Sequence, residues 1–188
     1  DYLGKKFSLP IIGVIEPGVR LAISRTKSQS IGVIGTHATI QSNAYGEKLK
    51  SINSKIKVLN QSCPLFVPLV EEGLIEGEIT TLIVESYLNH YKNTDVDTLI
   101  LGCTHYPILS AAIQEVIGER ISLVDSGNAT AEVVMDILNK NKISSMETSG
   151  GVYSFITDSK KSFEKVIDKA LTPSIDNKIK TIKRIDIG

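Results

Sequence analysis

The residues best suited to chemistry fall in three short runs. The first is Leu101-Gly102-Cys103-Thr104-His105-Tyr106-Pro107, which sets a thiol between a glycine and a threonine with an imidazole two residues on. A helix N-terminus and a nearby imidazole both favour thiolate over thiol. Thiolate is what a nucleophile or a proton-abstracting base requires. Pro107 suits the first position of a following helix. A buried cysteine is often only a small apolar filler, but Cys103 follows an apolar run that delivers it to a loop. A metal centre fits less well. The chain holds three histidines, His37, His90 and His105, and Cys-x-His lacks the further ligands of a closed zinc site.

The second run is Gly35-Thr36-His37-Ala38-Thr39. Its glycine lets the backbone approach a ligand, and free N–H groups at a helix start suit a carboxylate. Gly-Thr before a helix is also a common ordinary N-cap. The third run is Cys63-Pro64-Leu65-Phe66-Val67-Pro68-Leu69-Val70-Glu71-Glu72-Gly73. Two prolines predict a stiff extended segment that leads into two carboxylates. Glu71 could orient His105 or favour its charged form, or it could be a solvated acid heading a helix. Cys63, in apolar company, reads as core.

Elements that would position these runs alternate along the chain. Short β-branched stretches at 11–15, 31–34, 56–59, 98–101 and 121–124 are nearly continuous in apolar character, as strands buried on both faces of a parallel sheet are. Helix-length segments lie between them at 17–25, 39–52, 76–91 and 108–116, and a further helix is expected at 129–139 after Asp125-Ser126-Gly127-Asn128. In 76–91, Ile79, Leu82, Ile83, Ser86 and Tyr87 give one largely apolar face. The alternation implies right-handed βαβ units in an α/β, doubly wound, mostly parallel sheet. Ligands bind such sheets outside the carboxyl ends of the strands, where all three runs fall.

A polar linker, 141–151, precedes an alternating strand at 152–156, a helix at 160–171 and a last strand at 179–187. That tail is too small to bury its own core. Residues 11–125 are therefore expected to form a nearly complete α/β domain, and 126–188 to return into a second, similar one. The chain opens Asp1-Tyr2-Leu3-Gly4-Lys5-Lys6-Phe7 without an initiating Met. It reads as a piece cut from a longer protein.

Composition narrows the function classes. The 188 residues are 41% hydrophobic and 22% charged, with 21 basic against 21 acidic side chains. No basic block of the kind that tracks phosphate backbones is present, which argues against nucleic acid as a partner. No apolar run approaches the ~20 residues of a membrane span, and the opening residues lack a charged-then-apolar leader pattern. Two cysteines are too few for a disulfide scaffold. Together these point to a reducing cytoplasm.

Four blocks resemble the glutamate racemase family of cofactor-independent aspartate/glutamate racemases. They are Gly13-Val14-Ile15-Glu16-Pro17-Gly18, then Ile34-Gly35-Thr36 with Ala38-Thr39 and Tyr45, then Cys63 to Glu71, and Leu101 to Pro107. Aspartate and hydantoin racemases match the second and third blocks less well. The resemblance implies a two-base mechanism without pyridoxal phosphate, in which thiols on opposite faces of the α-carbon remove and return its proton. Cys103 matches the base assigned to L-glutamate, His105 the residue that assists it, and Glu71 a carboxylate near that histidine. Thr36 and Thr104 match positions that hold the substrate's α-carboxylate or amino group. The implied partner is a small molecule, L- or D-glutamate, feeding peptidoglycan, and a homodimer is compatible.

The family's first cysteine lies in a Cys-Asn-Thr motif, and the family has an Asp-Ser pair near its N-terminus. Neither has a counterpart here, because Cys63 is followed by Pro64-Leu65. The 188 residues alone are thus expected not to racemise glutamate. Two other readings stay open: a Cys-His hydrolase with Cys103 as acyl nucleophile, and a non-catalytic amino-acid-binding domain.

Overall fold

The computed structural model describes residues 2–143, 151–157, 159–161, 163, 164, 167 and 179–186. Four of the expected strands form: β1 (Ser30–Gly35), β2 (Lys57–Ser62), β3 (Thr98–Leu101) and β4 (Ser122–Asp125). All pair in parallel, in the order β2-β1-β3-β4. Every residue of β1 and β3 is buried, because helices cover both faces of the sheet.

On one face, α5 (Phe66–Glu72), α6 (Glu78–Leu88) and α7 (Ser110–Ile117) press Phe66, Leu69, Val84, Leu88 and Ile113 onto Ile34, Leu99 and Leu101. On the other, α2 (Ile15–Arg25) and α4 (Ala44–Ile52) bring Val19, Ala22, Tyr45 and Leu49 against Ile31, Val33, Ile100 and Val124. Each fully buried Leu or Ile contributes roughly 1.5–3 kcal/mol. The long helix α8 (Ser126–Lys140) packs along α2. A short α1 (Tyr2–Lys6) precedes these, and α3 (His37–Ser42) follows β1.

Several expectations need correction. Residues 11–15 are not a strand: Ile11–Val14 carry no regular structure and Ile15 begins α2. Ile11 and Val14 are 51% and 52% exposed, so this run lacks the two covered faces that a buried strand needs. The segment after Cys63 is not extended but helical, as α5. Pro68 is its third residue, where a backbone N–H has no partner within the helix, so the ring costs nothing there. The expected helix 39–52 is two, broken at Asn43, which sits in the left-handed region at φ 50°. Segment 76–91 ends its α-helix at Leu88 and continues as a 3-10 turn, Asn89–Asn93.

Further along, β5 (Val152–Ile156) and β6 (Ile179–Arg184) pair in parallel as a separate two-stranded sheet. Within the expected helix 160–171, the described residues 160, 161, 163, 164 and 167 are helical and the remainder lies outside the described residues. Most of the 141–151 linker lies outside them too.

Candidate functional site

In the order β2-β1-β3-β4, the chain reverses its direction of winding between β1 and β3, which opens a crevice at their carboxyl ends. Ile34 pairs with Leu101, so Thr36 and Cys103 leave adjacent strands at the same level. Glycines let the two loops close on each other. A Cβ on Gly35 would stand 2.9 Å from the Thr39 side chain, and one on Gly102 would stand 2.8 Å from the Ile34 carbonyl.

Cys103 is part-exposed and lines a cleft of about 310 Å3. Leu101, Gly102, Thr104, Pro107 and Ile108 share its wall with Val14, Tyr45 and the run Asp125, Ser126, Gly127 and Asn128. A more open groove of about 630 Å3 lies between α2 and α8 and shares only Asp125 and Asn128 with this cleft. It contains none of the five site residues expected from sequence.

Cys103, His105 and Glu71 stand in line. The thiol is 4.0 Å from His105 Nδ1, and His105 Nε2 is 3.9 Å from Glu71 Oε1. Thr104 Oγ1 also lies 3.4 Å from the same Nδ1. Imidazole therefore reaches the thiol on one side and a carboxylate on the other, the polarity needed to support a charge change at sulfur. Glu71 reaches His105 because α5 is helical and carries it there. Both partners meet solvent, with His105 27% and Glu71 54% exposed.

Pro107 does not open α7. It is the second residue of a 3-10 turn, Tyr106–Leu109, and α7 starts at Ser110. Cys103 thus lies a turn away from that helix, and imidazole rather than a helix N-terminus is the nearer influence on it.

Thr36 behaves as a cap. Its hydroxyl accepts from the Thr39 backbone N–H at 3.3 Å and lies 3.1 Å from Thr39 Oγ1. It is outside the cleft that Cys103 lines. Cys63 is core, as expected: it is fully buried, and burial pushes its thiol up to about 12. Both cysteines are free.

Sequence reasoning missed the β4 end as part of the site. Asp125 accepts from the Gly127 N–H at 2.7 Å and caps α8. Ser126 Oγ shares a 3.2 Å hydrogen bond with Tyr45 OH. The signal was available, since Asp-Ser-Gly between a strand and a helix obeys the same strand-end rule that singled out Cys103. Among the described residues, no group of three or more His, Cys, Asp or Glu could hold a metal ion, and no helix is long and apolar enough to cross a membrane.

Positions 1–134 match the family described as Asp/Glu/Hydantoin racemase. The glutamate racemase of Aquifex aeolicus is 47% identical over 179 residues, 95% of this chain and 66% of that protein. The solved glutamate racemase isoform RacE1 from Bacillus anthracis superposes with a TM-score of 0.87 at 36% identity, covering 99% of this chain and 68% of that one. The glutamate racemase from Francisella tularensis, solved in complex with D-glutamate, gives a TM-score of 0.83 at 29% identity over 95% of this chain and 65% of that one. The chain spans about two thirds of the length of these relatives. With a parallel α/β sheet that presents Cys103 at a strand end, and with relatives of this similarity, the chain belongs to the Asp/Glu/hydantoin racemase family.

Proposed function

We propose that the protein to which these residues belong racemises glutamate, with Cys103 as one of two thiol bases and no added cofactor. The observation that carries this is Cys103 at a cleft, with His105 4.0 Å from its sulfur and Glu71 behind the imidazole. In one direction the Cys103 thiolate takes the α-proton of L-glutamate, giving a thiol and a planar carbanion. A second thiol on the far face then donates its proton to carbon and becomes thiolate. No net proton is consumed. An α-proton is weakly acidic, so this step needs a positioned base and stabilisation of the developing charge. Thr104 lines the cleft wall, which supports its holding the substrate's amino or carboxylate group. The same role for Thr36 rests on the resemblance, since its hydroxyl caps α3 outside that cleft.

The second base is not Cys63. That thiol is fully buried and held in its neutral form, which leaves Cys103 as the reachable one of the chain's two cysteines. We therefore propose that the 188 residues alone do not racemise glutamate. On this reading residues 11–125 carry the Cys103 half of the site and 126–188 return toward the other half. The resemblance also supports a bacterial cytoplasmic setting in which D-glutamate feeds peptidoglycan, and it leaves a homodimer compatible.

The test is the optical rotation of L-glutamate with the complete reading frame containing these residues, against its Cys103→Ala variant. Racemisation lost with the thiol supports the reading. An inactive complete protein that still binds glutamate would replace it with a binding domain. The Cys103–His105–Glu71 line also suits an acyl nucleophile, so a Cys103 ester trapped by an activated acyl substrate would favour a hydrolase instead.

A further inference from the structure

Cys103 must be aimed at its cleft by something other than the loop that carries it, because that loop is short and part-exposed. The side chain that crowds the Gly102 position just before it most closely is Tyr45, from α4. Gly102 has no room for a side chain: a Cβ there would stand 2.8 Å from the Ile34 carbonyl and 3.1 Å from Tyr45 Cε2. The phenol ring is therefore packed directly against the peptide that precedes the thiol.

The other end of the ring is held. Tyr45 OH shares its 3.2 Å hydrogen bond with Ser126 Oγ, and both residues are buried. Ser126 in turn is fixed from three sides. Its hydroxyl fits against Gly18 of α2, where any side chain would collide with it. Its carbonyl accepts from Thr130 Oγ1 at 2.6 Å, and the adjacent Asp125 carboxylate caps α8 at Gly127. Gly18, Ser126, Tyr45 and Gly102 thus form one continuous contact chain across α2, α8, α4 and the end of β3.

We propose that Tyr45 and Ser126 form a strut that positions Cys103, with the phenol hydroxyl as its adjustable joint. They are positioning residues, since the strut acts on the thiol through the Gly102 backbone. The proposal rests on Cys103 being the working thiol of the racemase reading, but it can be measured without that reaction. A tyrosine is needed rather than a phenylalanine because the ring alone packs, whereas the ring with its hydroxyl anchored is fixed in angle. Neighbours joined this way are coupled energetically, so removing either hydroxyl has the same effect and removing both adds little.

The experiment is the rate at which iodoacetamide alkylates Cys103 in the 188-residue chain, read by peptide mass mapping with no substrate present. Buried Cys63 is the internal control, because its labelling reports unfolding. Tyr45→Phe and Ser126→Ala are each expected to change the Cys103 rate at least about threefold in the same direction, with the double variant no further changed, while Cys63 stays unlabelled and Tm holds. Cys103 rates within about 1.5-fold of the parent in both single variants, far less than a coupled neighbour gives, would overturn the strut. So would additive effects of the two substitutions. If Tyr45→Phe exposes Cys63, the Ser126→Ala rate alone decides. Slowing of the same labelling by glutamate is a separate readout, so a failure of the racemase reading and a failure of the strut are told apart.

Discussion

The hydroxyl of Tyr106 donates a 2.7 Å hydrogen bond to the backbone carbonyl of Cys63. This single contact ties the loop after β3, three residues past Cys103, to the loop after β2. The ring is fully buried, and Phe66 meets it edge-on with centroids 5.1 Å apart. Burial pushes the phenol well up, so it stays a donor. The Cys63 carbonyl also accepts from the Phe66 N–H at 3.1 Å and would keep one partner without Tyr106. Tyr106→Phe is thus expected to cost about 1 kcal/mol, at the low end for a lost buried bond. Urea unfolding would show this as a lower midpoint at unchanged slope. An unchanged midpoint would mean that the bond does not bridge the two loops.

Asp97 carries a pH dependence of known sign. Oδ1 accepts from Thr26 Oγ1 at 2.6 Å and from Thr98 Oγ1 at 3.0 Å, while Oδ2 accepts from the Lys27 and Ser28 N–H groups at 2.7 and 2.6 Å. Desolvation pushes this carboxyl up, but the hydrogen bonds outweigh it and hold it well below the usual carboxylate range. A depressed folded pKa adds stability that is fully present above the unfolded value of ~3.9 and is lost as pH falls below it. Tm should therefore drop as pH is lowered through about 4 and beyond, within the acid range that Asp97 commands. Asp97→Asn should flatten that drop. It should also cost about 2 kcal/mol at neutral pH. The amide oxygen can keep the two backbone donors, but the charge-assisted bonds are lost and its NH2 obliges the Thr26 and Thr98 hydroxyls to reverse and accept. A variant with the parent's acid sensitivity would assign it to other carboxylates.

The sequence made the sheet legible because β1 and β3 are buried on both faces and read as unbroken apolar runs. The same rule misled at 11–15, where Ile and Val sit in an exposed lead-in to α2. Proline misled at α5: Pro68 reads as a breaker unless its place in the first turn is known, and that place depends on where the helix begins. The proximity of Cys103 and His105 was legible from their spacing in sequence. Their tie to Glu71 was open from the residues alone and came from the resemblance, because 34 residues of chain separate the two loops and the α5 helix brings the carboxylate across. The hydrogen bond between Tyr45 and Ser126 was not readable for a similar reason, since a hydroxyl pair 81 residues apart leaves no periodic trace in sequence.

Asn43 shows how a local conformation overrides a periodic pattern. Its φ of 50° separates α3 from α4. A Cβ on Gly46 would collide with the Asn43 side chain, so this residue folds back over the first turn of α4. Asparagine tolerates the left-handed region better than other non-glycine residues. Asn43→Gly should leave stability within about 0.5 kcal/mol, whereas Asn43→Val should cost roughly 1–2 kcal/mol. Thermal unfolding of the pair checks this. Equal Tm values for Gly and Val would mean that the left-handed turn does not set the break.

Glu71 and His105 separate a stability role from a catalytic one. Their 3.9 Å pair is part-exposed, and such pairs contribute ~0–1 kcal/mol. Glu71→Gln should therefore leave Tm nearly unchanged. On the proposed racemase reading, the same change in the complete protein removes the charge that would support His105 as Cys103 gains and loses its proton. A positioned acid or base group is worth about 10²–10⁴-fold in rate, and a group acting one step behind should be worth toward tenfold to a hundredfold. The two glutamate enantiomers have equal free energy in water, so kcat/KM must fall by the same factor in both directions. The kcat values need not, because each direction loads a different thiol first. A tenfold or greater loss of kcat/KM with an unchanged Tm would place Glu71 in the proton-transfer apparatus. A drop in Tm with unchanged kcat/KM would return it to the surface.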